Sequence, residues 1–130
     1  MPAGPSVMKR VNLERLTVNE LVERFASLAL EQDDALLDSN ISKVNRLFWK
    51  LEAVEAELKT REGDQRRALL KLYDHPNAQV RLKATKATLA IAPEAARRML
   101  ETIAESREFP QAGEAGMSIS NLDAGIFRPT

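Results

Sequence analysis

The stretch DHPNAQVRLKATKATLAIA, residues 74–92, constrains this chain most, because it forces a break between two helical segments at a defined point. Leu69, Leu70 and Leu72 precede it. Pro76 disfavours helical geometry at His75, so a helix over residues 65–73 must stop there. Val80, Ala84, Ala87 and Ile91 then recur at steps of three and four, which places small side chains on one face of a following helix. Small residues let neighbouring helices approach closely, and the two segments together read as a helical hairpin.

The pattern extends in both directions. Thr17 and Glu20 have the spacing of a capping box, and Leu16 with Leu21 that of a hydrophobic staple. Leu21, Phe25, Leu28 and Ala29 continue as the apolar face of a first helix, predicted to reach about Asp38, with Glu20, Glu23, Glu31, Asp33 and Asp34 on its wetter side. A second helix is predicted to begin near Ser42, capped by Asn40 or Ser42, with Val44, Leu47, Phe48, Leu51, Val54 and Leu58 at near-heptad spacing. Gly63 can end it in a left-handed conformation, and Asp64 can cap the next. The third helix, Gln65 to Tyr73, turns Ala68, Leu69, Leu72 and Tyr73 inward. The fourth carries the stripe of small residues. Pro93 suits the first turn of a fifth, where its missing N–H is harmless, with Ala96, Met99, Leu100 and Ile103 inward and an end near Arg107.

The fold expected is therefore all-α, with about five helices over residues 13–107. Residues 1–12 contain two prolines and a glycine and few apolar side chains, and are expected to be loose. Over residues 108–130, Pro110, Gly113, Gly116, Gly125 and Pro129 interrupt any helix, yet Phe109, Met117, Ile119, Leu122, Ile126 and Phe127 are interspersed. That mixture predicts an irregular C-terminal arm lying on the helical body, on a second copy, or on a partner.

With LALEQ at 28–32, NRLFWKLEAVEAELK at 45–59, DHPNAQVRLKA at 74–84, APEAARRML at 92–100 and FPQAGEAGMS at 109–118, the chain resembles a bacterial family catalogued as domain of unknown function 2019. The likeness runs from about Leu16 to the C-terminus. It implies an α–α superhelix of HEAT or armadillo type and carries over no activity and no site residues. Only the third and fourth predicted helices match a HEAT unit well, and repeat arrays need about three units to close a core.

The chemistry the residues allow is narrow. At 130 residues the chain makes one ordinary domain. Nineteen Lys and Arg balance nineteen Asp and Glu, so no global field draws it to nucleic acid or anionic lipid. Without cysteine there is no disulfide, thiolate zinc site or cysteine nucleophile. His75 stands alone and reads as a turn residue. The carboxylate pairs Asp33–Asp34 and Glu52–Glu55 read as solvated faces. No phosphate loop, nucleophile elbow or H-E-x-x-H pattern is present. No catalytic, cofactor-binding or metal-binding residue is assigned, no cofactor is expected, and the protein is not expected to be an enzyme. The lack of a signal-peptide core or an apolar run long enough for a bilayer predicts a cytoplasmic protein without membrane contact.

What remains is binding. Trp49 lies about 100° round the second helix from Phe48. The first helix or the arm is expected to cover it; uncovered, it would anchor an interface. Arg66, Arg67, Lys71, Arg81, Lys83 and Lys86 form a basic face on the third and fourth helices, although Arg81 in this setting is expected to bond carbonyls or an acid such as Asp74. The favoured reading is a non-catalytic protein–protein interaction module, on analogy of size and scaffold a neutralising, immunity-type partner of a toxin. Its contact residues would be Trp49, Arg66, Arg67, Lys71, Lys83, Lys86, Phe109 and Phe127, and its partner another protein or a second copy. The alternative is nucleic-acid binding through the basic face, which lacks the aromatic interleaving that stacking requires.

Overall fold

A computed structural model describes residues 12–130, so all but Asn12 of the segment expected to be loose lies outside the described residues. The described residues contain five α-helices: α1 (Val18–Leu37), α2 (Ile41–Thr60), α3 (Ala78–Ala87), α4 (Pro93–Glu105) and α5 (Gln111–Asp123). A 3-10 turn, Leu13–Arg15, precedes α1, and a 3-10 helix, Gln65–Asp74, joins α2 to α3. No strand occurs among the described residues. No helix there is long and apolar enough to cross a membrane.

Local chemistry sets the helix ends. Thr17 Oγ1 accepts from the Glu20 N–H at 3.1 Å and Glu20 Oε1 from the Thr17 N–H at 2.9 Å, which completes the capping box. Asn40, Asp64 and Asn77 each cap the helix that follows. α1 closes with Ser39 at φ 54°. The N–H groups of Ser39 and Asn40 return to the carbonyls of Leu36 and Ala35, satisfying groups the helix leaves unpaired. Arg61, past the end of α2, donates to the carbonyls of Leu13 and Leu16 at 3.0 and 2.8 Å and ties the N-terminal turn to the body.

Residues 65–74 depart from the expected α-helix. Three residues per turn bring positions i, i+3 and i+6 into line, and the buried residues are Arg66, Leu69 and Leu72. Ala68 and Tyr73, expected inward, are half-buried on the flanks. The tighter winding thus turns an arginine toward the interior.

Two apolar clusters share α3. On one side Val80, Ala84 and Ala87 meet Leu21, Phe25 and Ala29 of α1, Leu47, Leu51, Val54 and Leu58 of α2, and Leu69. On the other, Leu82 and Leu89 meet Ala96, Leu100 and Ile103 of α4 and Ala115 of α5. Seven of the ten residues of α3 are buried, so it has no wet face to give it a simple apolar stripe.

The irregular arm expected over 108–130 is instead largely α5, packed against α4. Gly113 and Gly116 each cost about 1 kcal/mol in a helix relative to alanine. Packing of Ala115, Ile119 and Leu122 onto the second cluster offsets this. Arg97 bound to Asp123 and Lys86 bound to Glu114 hold the helix at two further points. Gly125 at φ 71° ends it, with the Gly125 and Ile126 N–H groups returning to the carbonyls of Leu122 and Asn121. Only residues 124–130 of the arm follow the last helix.

A ladder of glutamines crosses the interior. Gln79 Nε2 donates to Gln32 Oε1 at 2.8 Å, Gln111 Nε2 donates to Gln79 Oε1 at 2.9 Å, and Gln32 Nε2 donates to the Val44 carbonyl at 3.2 Å. Every buried side-chain nitrogen and oxygen among the described residues has a partner. Gln79→Ala strips partners from Gln32 and Gln111 together. It is expected to lower unfolding free energy by about 1–3 kcal/mol, read by urea denaturation; a loss below about 0.5 kcal/mol would show that the ladder does not hold α1, α3 and α5 together.

Candidate functional site

The core stripe of α2, Leu47, Leu51, Val54 and Leu58, has a neighbour one residue round the helix: Phe48, Glu52, Glu55 and Lys59. α3 faces this second stripe with Lys83, Lys86 and Ala87, the 3-10 helix adds Arg66, and Phe127, Pro129 and Thr130 complete the wall. They surround a cavity of about 370 Å³, within the size range of small-molecule sites.

Its charges divide into committed and uncommitted groups. Arg66, 4% exposed, donates from Nε and Nη2 to the two carboxylate oxygens of Asp64 at 2.9 and 2.7 Å. That pairing holds the Asp64 carboxyl below its usual range. The Arg66 guanidinium also lies 3.5 Å from the Thr130 carbonyl oxygen. Lys86 Nζ is 2.9 Å from Glu114. Lys83 has no carboxylate within 4 Å among the described residues, and its ammonium sits 5.0 Å from the centre of the Phe48 ring. Burial, reinforced by Lys86, pulls its pKa down. Glu55 likewise has no cation within 4 Å among the described residues. Burial, with Glu52 adding to it, pushes Glu55 up to about 7, against the opposing pull of Arg66, Lys83 and Lys59.

The structure brings Arg66, Lys83, Lys86 and Phe127 to this one cavity. Arg67 is exposed outside it. Lys71 Nζ donates to Asn19 Oδ1 at 3.0 Å. Phe109 is exposed just before α5. Trp49, expected to be covered, is 69% exposed, its ring edge-on to Phe48 with centroids 5.1 Å apart. α1 packs on the core stripe of α2 and the C-terminal segment lines the cavity beside it, so the indole stays open. Arg81 does bond carbonyls, those of His75 and Pro76 at 2.8 and 2.9 Å, but its acidic partner is Glu108 rather than Asp74. His75 Nδ1 accepts from the Asn77 N–H at 3.0 Å, a turn contact. Among the described residues no group of three or more His, Cys, Asp or Glu could hold a metal ion.

The pair Glu52–Glu55 corrects the solvated-face reading. Glu52 is exposed, while Glu55 is half-buried against the cavity. The signal for it was the Phe48–Glu52–Glu55–Lys59 spacing beside the core stripe, but the wall opposite comes from residues far along the chain.

A carboxyl whose folded pKa lies above its ordinary 4.5 binds its proton more tightly in the native state. Its contribution to stability is therefore complete below about pH 4.5 and is lost as pH rises through about 7. Wild type is expected to lose about 1–2 kcal/mol from this group between pH 5 and pH 8, after allowance for its partial exposure. Glu55→Gln should show a flatter profile in urea titrations. Identical slopes for the two proteins would place Glu55 in ordinary solvent.

Comparison with known proteins bears on the fold and the family. The chain is similar to the crystal structure of the protein RPA1889 from Rhodopseudomonas palustris CGA009, with 52% sequence identity and a TM-score of 0.89, over 93% of this chain and 100% of that one. No curated protein matches it. The model of the family described as Domain of unknown function (DUF2019) matches residues 19–123, and with four-fifths of its length matched the chain belongs to that family.

Proposed function

We propose that the protein is a non-catalytic, protein-binding module of HEAT- or armadillo-like helical-repeat type, acting in the cytoplasm by shape and surface charge. The observation that carries this reading is the outward face of α2. Asn45, Trp49, Ala53 and Ala56 follow one another at helical spacing, all four are exposed and none is charged. A large aromatic braced edge-on by Phe48 and flanked by small residues suits a partner that lays a helix along α2. Trp49 would be the anchor, and Ala53 and Ala56 would let the partner's backbone come close.

A toxin-neutralising, immunity-type role is the specific form that small size and scaffold favour by analogy. A second copy of the chain could use the same stripe in a self-complementary dimer. The nucleic-acid alternative is the weaker one. Four of the six cations of the basic face are engaged within the molecule, Arg66 with Asp64, Lys71 with Asn19, Arg81 with Glu108 and Lys86 with Glu114, which leaves few free for phosphates.

Tagged protein used to capture partners from its native host tests the reading, with Trp49→Ala alongside. The variant is expected to lose the partner by at least about tenfold, with stability changed by less than about 1 kcal/mol. A partner retained in full by Trp49→Ala would sink the α2 surface. DNA binding that falls steeply with added salt would favour the alternative instead.

A further inference from the structure

Glu55 of α2 and Lys83 of α3 line the same cavity, carry opposite charges once pH exceeds the Glu55 value of about 7, and do not form an ion pair. Space separates them. Two other cations of the lining are already committed, Arg66 to Asp64 and Lys86 to Glu114. Glu52 and Lys59, both exposed at the rim, cancel one another. The uncommitted lining is therefore neutral in sum but polar in arrangement.

We infer that this cavity binds a small zwitterion with an apolar body, its carboxylate on the Lys83 ammonium and its ammonium on the Glu55 carboxylate. A simple anion would satisfy Lys83 but lie against Glu52 and Glu55, and a simple cation would satisfy Glu55 but lie against Lys59 and Lys83. Only a molecule bearing both charges answers both groups, which have given up part of their hydration and received no ion-pair partner in return. Phe25, Phe48, Leu51 and Ala87 supply the apolar part of the wall, and the Phe48 ring already braces the Lys83 ammonium from one side. The inference is independent of the outward stripe of α2, since Trp49 lies outside the cavity lining.

The test is an amide chemical-shift titration of the full chain at about pH 8, where Glu55 is ionised, with L-leucine and with 6-aminohexanoate, which holds the same two charges farther apart. At least one is expected to saturate with a Kd between about 10 μM and 1 mM, shifting the amides of residues 55 and 83. The N-acetyl form of that molecule lacks the ammonium and its methyl ester lacks the carboxylate. Each capped form should bind at least about tenfold more weakly, as loss of one charge-assisted hydrogen bond requires. Glu55→Gln and Lys83→Met should weaken the parent by a similar factor. Absence of saturation by either zwitterion at about 10 mM, a capped form binding as tightly as its parent, or folded variants binding like wild type overturns the inference. Where a variant does not fold, the capped forms measured on wild type decide alone.

Discussion

The architecture depends on a ten-residue helix that is buried on both sides. α3 is too short to persist alone in water, and it survives because Val80 and Ala84 close one apolar cluster while Leu82 joins the other. Gln79, on the same helix, reaches Gln32 of α1 and Gln111 of α5. Opposing helices thus meet through α3 both by apolar packing and by hydrogen bonds. A buried amide network of this kind is favourable only when every member is satisfied, and here it is.

Fixing α3 in this way also fixes the cavity. With its other faces committed to the two clusters, the helix turns Lys83 and Lys86 toward α2. Lys86 is neutralised by α5 through Glu114, whereas Lys83 has no carboxylate within 4 Å among the described residues and lies over the face of Phe48. Across the space Glu55 is desolvated without a counter-ion. Such groups oppose folding rather than assist it, and their meeting in one concave place is the observation on which the inferred zwitterion site rests. The outward stripe of α2 is a separate surface, uncharged where the cavity is charged.

Which features could be read in advance follows from how local each one is. The caps at Thr17, Asn40 and Asp64 each involve residues two or three apart, and the apolar stripes of α1, α2 and α4 are periodic over several turns, so both were legible. The winding of residues 65–74 was not, because ten residues barely separate a period of 3.0 from one of 3.6 until burial shows that Arg66 shares a line with Leu69 and Leu72. The helix at 111–123 was hidden by Gly113 and Gly116, whose unfavourable propensity is offset only by distant packing onto α4. Glu55 and Trp49 exchanged expectations for a common reason: exposure on α2 is decided by α3 and the C-terminal segment, which cover the side of Glu55 and leave that of Trp49 open.

If α3 is the shared wall, the two apolar clusters cannot come apart while it remains helical. Native-state hydrogen exchange on the intact chain measures this most directly. The account predicts that the most protected amides of α4 and α5 exchange with the same free energy as those of α1 and α2, through one global unfolding event. An α4–α5 unit that opens separately, at a clearly lower free energy and with α1 to α3 still protected, would contradict it.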